Sequence, residues 1–428
     1  AGALPAFDPP EITIERPREA SFGDYASPTP LKLARVARMA PIKIAQAVVD
    51  HLPVTDYIQE VTVAPPGFIN IRLTAARLQQ VLVDVLEQGA EYGRVHIGDG
   101  QKAQIECVSA NPTGPIHIGR VRGGVMGDTL TRAMRLAGYD VILEYYYNDA
   151  GRQVTLLGES TKIRYLQLLG HDLELGSEHY KGDYIIDIAR QLHSDHGKTL
   201  QEKPVDYFSD YAKGQIAKSQ KETLRRINIV FDNYYREQSL YETGRVWEAL
   251  ETLQQKGYVY EKDGAQWFKT TEFGDEKDRV LVKKSGEPTY RMPDIAYHWD
   301  KAQRGFDLVV DIFGPDHHAT APQVLMGVQA LGYPTDFVRT VLHQIISIIK
   351  DGQEMKMSTR AGTFVALDDL LDEVGADPIR YFMISRSGNS PIEFDLNLAL
   401  EKSDKNPVYY IQNAHVRCAG IFRKWAEA

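Results

Sequence analysis

Cysteine is scarce in this sequence of 428 residues, in which Cys107 and Cys418 are the only two. They form no C-x-x-C pair, which argues against a disulfide framework and a cysteine-based zinc site. So few thiols fit a reducing compartment, and we expect a cytoplasmic protein. His317 and His318 are adjacent, but no third ligand at metal-binding spacing accompanies them, so we expect no protein-bound metal.

Long apolar runs and an excess of positive charge are also missing. No stretch is long enough to cross a membrane, and the N-terminus lacks the apolar region of a signal peptide, so we expect no membrane partner. Lysine and arginine number 49 against 58 aspartate and glutamate, a net charge of −9. This balance argues against non-specific coating of nucleic acid but permits a local basic face.

The two common phosphate-binding glycine motifs are absent as well. No G-x-G-x-x-G follows the first strand of the pattern described next, and no G-x-x-x-x-G-K-[ST] occurs. Instead, a strand, a loop, a helix and a second strand are predicted in turn at Gln104–Val108, Ser109–Pro115, His117–Gly138 and Val141–Tyr147. A helix N-terminus after such a loop offers unpaired N–H groups suited to a nucleotide phosphate.

The length predicts two or three domains, since 428 residues exceed one ordinary core. Leu308–Phe313 is a nearly continuous apolar run, typical of a strand buried on both faces. Arg339–Ile349 predicts another strand and Leu367–Val374 a helix. Between these and the first unit, residues 155–300 form a long interruption with no further clear strand of this kind.

The residues around the predicted helix start indicate a family. His117-Ile118-Gly119 resembles the His-Ile-Gly-His signature of class I aminoacyl-tRNA synthetases. Asn111–Pro115 before it and Tyr145–Gln153 after it narrow the resemblance to arginyl-tRNA synthetases, across some fifty residues. The resemblance implies an α/β fold, in which a Rossmann-type parallel-sheet catalytic domain at 99–402 is split by an inserted connective region at about 155–300.

Both flanking regions resemble the same family. Residues 1–98 are similar to its small α+β N-terminal domain, which lies against the tRNA elbow, through Gly23–Ala26 and Pro66–Asn70. Residues 403–428 resemble the start of its helical anticodon-binding domain, incomplete at Ala428. The sequence leaves open whether the rest of that domain was removed, lies outside the residues given, or was lost in this lineage.

The N-terminal region also carries its own pattern. It predicts a strand, two helices and two further strands at Glu11–Arg16, Leu31–Ala40, Ile42–Leu52, Tyr57–Val63 and Phe68–Leu73. Four cations occur within or beside the two helices: Lys32, Arg35, Arg38 and Lys43. They form either a strip for tRNA phosphates or an ordinary solvated helix face.

The resemblance implies a two-step reaction. Arginine and ATP form an arginyl-adenylate with release of pyrophosphate, and arginine then passes to the 3′ end of arginine tRNA with release of AMP. The implied partners are ATP, L-arginine and tRNA, and we expect a monomer. Mg²⁺ would accompany ATP on the leaving pyrophosphate.

An arginine pocket needs carboxylates and carbonyl oxygens, because the guanidinium is a planar fork of five donors. The candidates are Glu106, Asn111, Tyr290, Asp294, Asp316 and His317. Tyr290 and Asp294 match the family's Tyr-x-x-x-Asp element, which holds the guanidinium, while Glu106 and Asn111 take the ammonium end or share the fork. Asp316 and His317 stand where the family has a glutamine-type contact. Asp294 is alternatively a helix N-cap, and the two roles can coexist.

The triphosphate needs positive charge where negative charge moves in the reaction. The resemblance assigns catalysis to His117, Arg120, Lys356 and Arg360. It assigns ATP binding to Pro112, Gly114, His117, Gly119, Met357 and Ser358.

Two departures from the family pattern leave other functions open. Arg120 replaces the second histidine of His-Ile-Gly-His, and Thr359 replaces the last lysine of Lys-Met-Ser-Lys. Members without that lysine often carry one just before the histidine motif, where this chain has Gly114. A second hypothesis is therefore a catalytically weakened relative that binds tRNA or arginine as a sensor or carrier. A third, a nucleotidyltransferase acting on another substrate, is disfavoured by Tyr290 and Asp294 and by the flanking domains.

Overall fold

The computed structural model describes residues 4–8, 11–53, 55–315, 320–355 and 366–427. The chain divides into two compact units, Ala1–Arg94 and Val95–Ala428.

The first unit is a small α+β structure. Its elements are β1 (Tyr25–Ser27), α1 (Thr29–Ala37), α2 (Pro41–Val49), β2 (Ile58–Ala64), β3 (Phe68–Leu73) and α3 (Ala75–Gln88). The strands form an antiparallel sheet in the order β1-β3-β2, and Leu33 and Ile44 of the two helices are buried against each other. The predicted helices and the last two predicted strands are confirmed. The predicted strand at Glu11–Arg16 is wrong, because only Glu15 pairs there, in an isolated bridge to Ala26.

A five-stranded parallel sheet forms the centre of the second unit. Its strands are β4 (Lys102–Glu106), β5 (Asp140–Tyr147), β6 (Asn233–Arg236), β10 (Leu308–Phe313) and β11 (Val338–Leu342), in the order β11-β10-β4-β5-β6. The middle strands are buried on both faces, where apolar residues such as Ile105, Val309 and Val310 form part of the core.

Two smaller sheets accompany the central one. The first is antiparallel and contains β7 (Val259–Lys262), β8 (Ala265–Phe268) and β9 (Arg279–Val282). The second contains β12 (Ile346–Lys350), β13 (Gln353–Glu354) and β14 (Ile392–Asp395), with β12 parallel to β14.

Helices cover both faces of the central sheet and extend beyond it. They are α4 (Ile118–Leu136), α5 (Arg152–Leu168), α6 (Asp183–His196), α7 (Val205–Arg226), α8 (Glu237–Glu242), α9 (Arg245–Gln255), α10 (Arg291–Gln303), α11 (Ala321–Ala330), α12 (Leu367–Val374), α13 (Ala376–Ile384), α14 (Leu396–Leu400) and α15 (Pro407–Glu427). On one face, α4 packs Val121 and Val125 into the core. On the other, α10 contributes Met292, Ile295 and Tyr297. Helices α5, α6 and α7 pack on one another through their own small cores.

The predicted fold class, a parallel α/β domain with a small α+β N-terminal part and a helical C-terminal region, is confirmed. Two details differ. A fifth sheet strand, β6, lies inside the range 155–300 that the sequence pattern presents as an interruption. The predicted strand Arg339–Ile349 is two strands, β11 and β12, which belong to different sheets.

No helix within the described ranges has both the length and the apolar character needed to cross a membrane.

Candidate active site

A cleft of about 820 Å³ opens at the carboxyl ends of β4 and β10 in the second unit. The chain leaves β4 toward β5 and β6 on one side and adds β10 and β11 on the other, so the strand order reverses between β4 and β10. In open parallel sheets a ligand crevice forms at such a switch point, outside the carboxyl ends of the strands. The structure brings six predicted site residues to this cleft: Glu106, His117, Gly119, Arg120, Tyr290 and Asp294.

One end of the cleft is the N-terminus of α4. His117 is its N-cap, and its ring Nδ1 accepts a hydrogen bond of 3.2 Å from the Gly119 N–H. Burial and the nearby Arg120 cation lower the pKa of His117, which favours the neutral ring. Since Nδ1 accepts, the proton of that neutral ring is on Nε2, which can donate to a ligand. A Cβ at position 119 would lie only 3.0 Å from the His117 ring, which explains the glycine.

Arg120 follows in the first turn of α4 and also lines the cleft. Its guanidinium has no hydrogen bond or ion pair to any other residue in the described part of the chain. It therefore adds a cation to the positive end of a helix, and this end of the cleft suits an anion.

A buried charge network forms the floor of the cleft. Lys301 of α10 is fully buried and donates to Glu106 Oε2 at 2.6 Å and to Asp311 Oδ1 at 2.7 Å. His298, one turn earlier on α10, lies with Nε2 2.9 Å from Asp311 Oδ2. Ser109 donates to the other oxygen of Glu106 at 2.7 Å. The helix is thus tied to two neighbouring strand ends, and Glu106 is held in one orientation.

The network also sets the protonation of its members. Burial opposes ionisation of Lys301, but the carboxylates of Asp311 and Glu106 outweigh it and raise the pKa of Lys301. Burial likewise opposes ionisation of Asp311, but Lys301 and His298 outweigh it and lower the pKa of Asp311. The floor therefore holds fixed charges of both signs.

The other end of the cleft is acidic. Tyr290 and Asp294 lie one turn apart at the start of α10, so both face the cleft. Burial, with help from the charges of Glu106 and Asp311, raises the pKa of Asp294 to about 6. Glu237, the first residue of α8, lines the same cleft, and burial together with the charge of Asp294 raises its pKa to about 7.

No ion pair to a described residue holds Asp294 or Glu237. Two partly desolvated carboxyl groups without a cation of their own make a site that favours a cationic ligand. Glu237 is not among the site residues predicted from the sequence. It directly follows the short strand β6, and side chains that follow the carboxyl ends of parallel strands line the crevice. Asn148, just after β5, lines the cleft for the same reason.

Three predicted residues lie outside the lining of the cleft, in the loop before α4. The Asn111 side-chain amide donates to Gln153 of α5. Pro112 is buried, and the Gly114 carbonyl accepts a hydrogen bond of 2.7 Å from Gln220 of α7. The remaining candidates lie outside the described residues: Asp316, His317, Lys356, Met357, Ser358 and Arg360.

Comparison with known proteins gives consistent matches along the chain. Residues 81–383 match the family described as tRNA synthetases class I (R), catalytic domain, and residues 2–73 match the arginyl tRNA synthetase N-terminal domain. The chain is 46% identical over 419 residues to an arginine–tRNA ligase of Desulfotalea psychrophila, covering 97% of this chain and 76% of the relative. It is 41% identical over 432 residues to an arginine–tRNA ligase of Geobacillus thermodenitrificans, covering 100% and 78%.

The fold is also similar to a solved structure, the Thermus thermophilus arginyl-tRNA synthetase. The TM-score is 0.71 at 21% identity, and the alignment covers 96% of this chain and 78% of the other.

Proposed function

Because this chain belongs to the arginyl-tRNA synthetase family, we propose that it attaches L-arginine to the 3′ end of arginine tRNA at the expense of ATP. The observation that carries the proposal is that the two ends of the cleft described above carry opposite charge. One end presents two carboxyl groups that no cation of the described residues pairs with, and the other presents a helix N-terminus with His117 and Arg120. The arginine side chain is a cation and fits the acidic end, and the ATP phosphates are anions and fit the other end.

At the acidic end, Asp294 and Glu237 would bind the guanidinium, with Tyr290 beside them. A planar fork of donors can pair with two carboxylates at once, which a lysine ammonium cannot do with the same geometry. Glu106, oriented by Lys301 and Ser109, would accept from the α-ammonium at the centre of the cleft.

At the basic end, the arginine carboxylate would attack the α-phosphorus of ATP, and pyrophosphate would leave. His117 would donate from Nε2 to a phosphate oxygen, and Arg120 would pair with the triphosphate. Such prearranged donors stabilise the charge that develops in the transition state. The predicted contributions of Lys356 and Arg360, and of Mg²⁺ as part of the ATP complex, complete this set.

In the second step the terminal ribose hydroxyl of tRNA takes the arginyl group, and AMP leaves. We propose that residues 1–98 bind the tRNA, with the exposed cations of α1 and α2 on its phosphates, and that residues 403–428 begin an anticodon-binding domain. We further propose that residues 99–402 form the catalytic domain, with an inserted connective region at about 155–300, and that the protein acts as a monomer in the cytoplasm. The chain spans 76–78% of the length of the relatives compared.

The alternative of a sensor or carrier is not favoured, because the relatives at 41–46% identity are arginine–tRNA ligases. The test is arginine-dependent exchange of pyrophosphate into ATP, with and without tRNA, together with charging of arginine tRNA. We expect both activities with arginine and neither with lysine or citrulline. Binding of arginine or tRNA without exchange or charging would support the sensor or carrier instead.

A further inference from the structure

The loop that leads from β4 to α4, residues 109–115, is here called the approach loop. It joins Ser109, which holds Glu106, to the segment that presents His117. Its backbone therefore sets the distance between the two ends of the cleft. A loop lacks the regular backbone hydrogen bonds of a helix or sheet. Its shape therefore depends on the groups that bind its carbonyl oxygens.

Gln220 of α7 binds two of the loop carbonyl groups. Its side chain is 1% exposed, and its amide Nε2 donates to the carbonyl oxygens of Asn111 at 3.0 Å and Gly114 at 2.7 Å. Its Oε1 lies 3.3 Å from the buried hydroxyl of Tyr145, which is also 3.1 Å from the Ala110 carbonyl. The buried Gln220 amide therefore binds the approach loop through its nitrogen and Tyr145 of the sheet through its oxygen.

Tyr184 of α6 binds a third carbonyl group of the loop. Its hydroxyl donates to the Thr113 carbonyl at 2.7 Å. The ring lies against Gly114 so closely that a Cβ there would be 3.2 Å from the Tyr184 hydroxyl oxygen. The far end of the loop is tied from another direction, since the Leu367 N–H of α12 donates to the Ile116 carbonyl at 2.9 Å.

We infer that Gln220 and Tyr184 are positioning residues, which hold the approach loop in the shape that sets His117 opposite the arginine end of the cleft. They act through the loop backbone and touch neither reacting group. This inference rests on the proposed function, because it assigns a role in the same reaction. It implies that helices α6 and α7 take part in ATP use, although Tyr184 and Gln220 are 71 and 106 residues along the chain from Thr113 and Gly114.

The test uses variants that keep volume and remove hydrogen bonds. Gln220→Met loses both donors, and Gln220→Glu replaces them by an acceptor facing two carbonyl oxygens. Tyr184→Phe loses one bond. The matched control is Tyr165→Phe on α5, whose buried hydroxyl donates to the Gly197 carbonyl at 2.5 Å, away from the loop. Charging rates give kcat/KM for ATP and KM for tRNA, and melting temperatures report the fold.

Loss of the two hydrogen bonds that hold the loop should displace His117 from its position in the transition state. We expect kcat/KM for ATP to fall about tenfold in Gln220→Met and at least as much in Gln220→Glu. Tyr184→Phe should lose roughly two- to fivefold. We expect KM for tRNA to stay within about twofold of wild type, because Gln220 is buried, and Tyr165→Phe to keep the wild-type kcat/KM for ATP.

Wild-type kcat/KM for ATP in Tyr184→Phe and in a folded Gln220 variant would overturn the inference, as would a change confined to KM for tRNA. Absence of any arginine-dependent activity in the wild type would instead overturn the proposed function. In that case amide hydrogen exchange decides the structural part. The loop amides should exchange faster in Gln220→Met and Tyr184→Phe than in Tyr165→Phe, and equal rates would contradict the inference.

Discussion

At the scale of single residues, a substitution of Asp294 tests the arginine site most directly. Asp294→Asn keeps the shape of the side chain and removes its charge. A hydrogen bond to a charged group is worth about 1.5–3 kcal/mol, so KM for arginine should rise roughly ten- to hundredfold while KM for ATP changes little. The control is Asp300→Asn on the same helix, whose carboxylate lies 3.7 Å from Arg245 and from Arg304 instead of lining the cleft. An unchanged KM for arginine in Asp294→Asn would remove Asp294 from the site.

The raised pKa values of Asp294 and Glu237, about 6 and about 7, predict a pH dependence. Both groups hold protons more tightly folded than unfolded, so without ligand their ionisation lowers stability as pH rises toward 7. A bound guanidinium favours the ionised forms. Arginine should therefore raise the melting temperature more at about pH 7.5 than at about pH 5.5. Glu237→Gln should narrow the difference, and equal shifts at both pH values would contradict the assignment.

Arg120 raises the question of whether it compensates for the missing lysines. Its guanidinium is near the start of α4 and has no described partner, so it can bind two phosphate oxygens at once. Arg120→His restores the family motif. If Arg120 compensates, exchange activity should fall about tenfold or more. Complete loss of one such stabilising contact typically costs about a hundredfold or more. Activity that holds steady or rises would show that it does not. At the other missing position, Tyr184 occupies the space into which a side chain at 114 would project.

Several site residues could be predicted because they belong to short contiguous motifs. His117, Gly119 and Arg120 open one helix, and Tyr290 and Asp294 open another. Glu237 could not be predicted this way, because it reaches the cleft only through the pairing of β6 with β5. Gln220 could not either. An internal glutamine on a charged helix gives no sign that its amide binds loop carbonyls far away in sequence.

At the scale of elements, Lys301 joins α10 to the ends of β4 and β10. Lys301→Met leaves two buried carboxylates without their cation. Removing one partner of a buried ion pair typically costs about 3–5 kcal/mol, and we expect a loss of that size in the free energy of unfolding by urea. The control is Lys350→Met, whose pair with Glu373 is solvent-exposed and should contribute less than about 1 kcal/mol. Similar losses in the two variants would mean that the network does not hold the helix in place.

Elements with one unbroken pattern were predictable, and those that depend on distant pairing were not. β10 and α12 begin and end at the predicted residues, because the apolar residues of each follow one regular pattern. β6 is only Asn-Tyr-Tyr-Arg, too short and too polar to indicate a sheet strand. Only residues 343–345 separate β11 from β12, and apolar residues recur on both sides of them, so nothing local indicates that the chain changes sheets there.

At the scale of the whole molecule, a net charge of −9 makes tRNA binding depend on where the cations lie. Lys32, Arg35 and Lys43 are exposed on α1 and α2. Replacing all three by alanine should raise KM for tRNA and reduce the slope of log KM against log salt by about 0.7–0.9 for each phosphate that is no longer neutralised. KM for ATP and arginine should not change, and Lys350→Ala should behave as wild type. An unaltered slope would mean that these cations are only a solvated helix face.

The position of β10 in the sheet has a consequence for how the protein is made. β4 completes its pairing only when β10 joins it, and about 200 residues separate the two strands in the chain. At a synthesis rate of about 5–20 residues per second, β4 waits with an unpaired edge for about 10–40 s on the ribosome. The unpaired N–H and C=O groups of a strand edge are a template for wrong strand pairing. The last strands of this sheet to emerge thus close both the sheet and the cleft, and a nascent chain interrupted before them is exposed to aggregation at the place where the substrates would later bind.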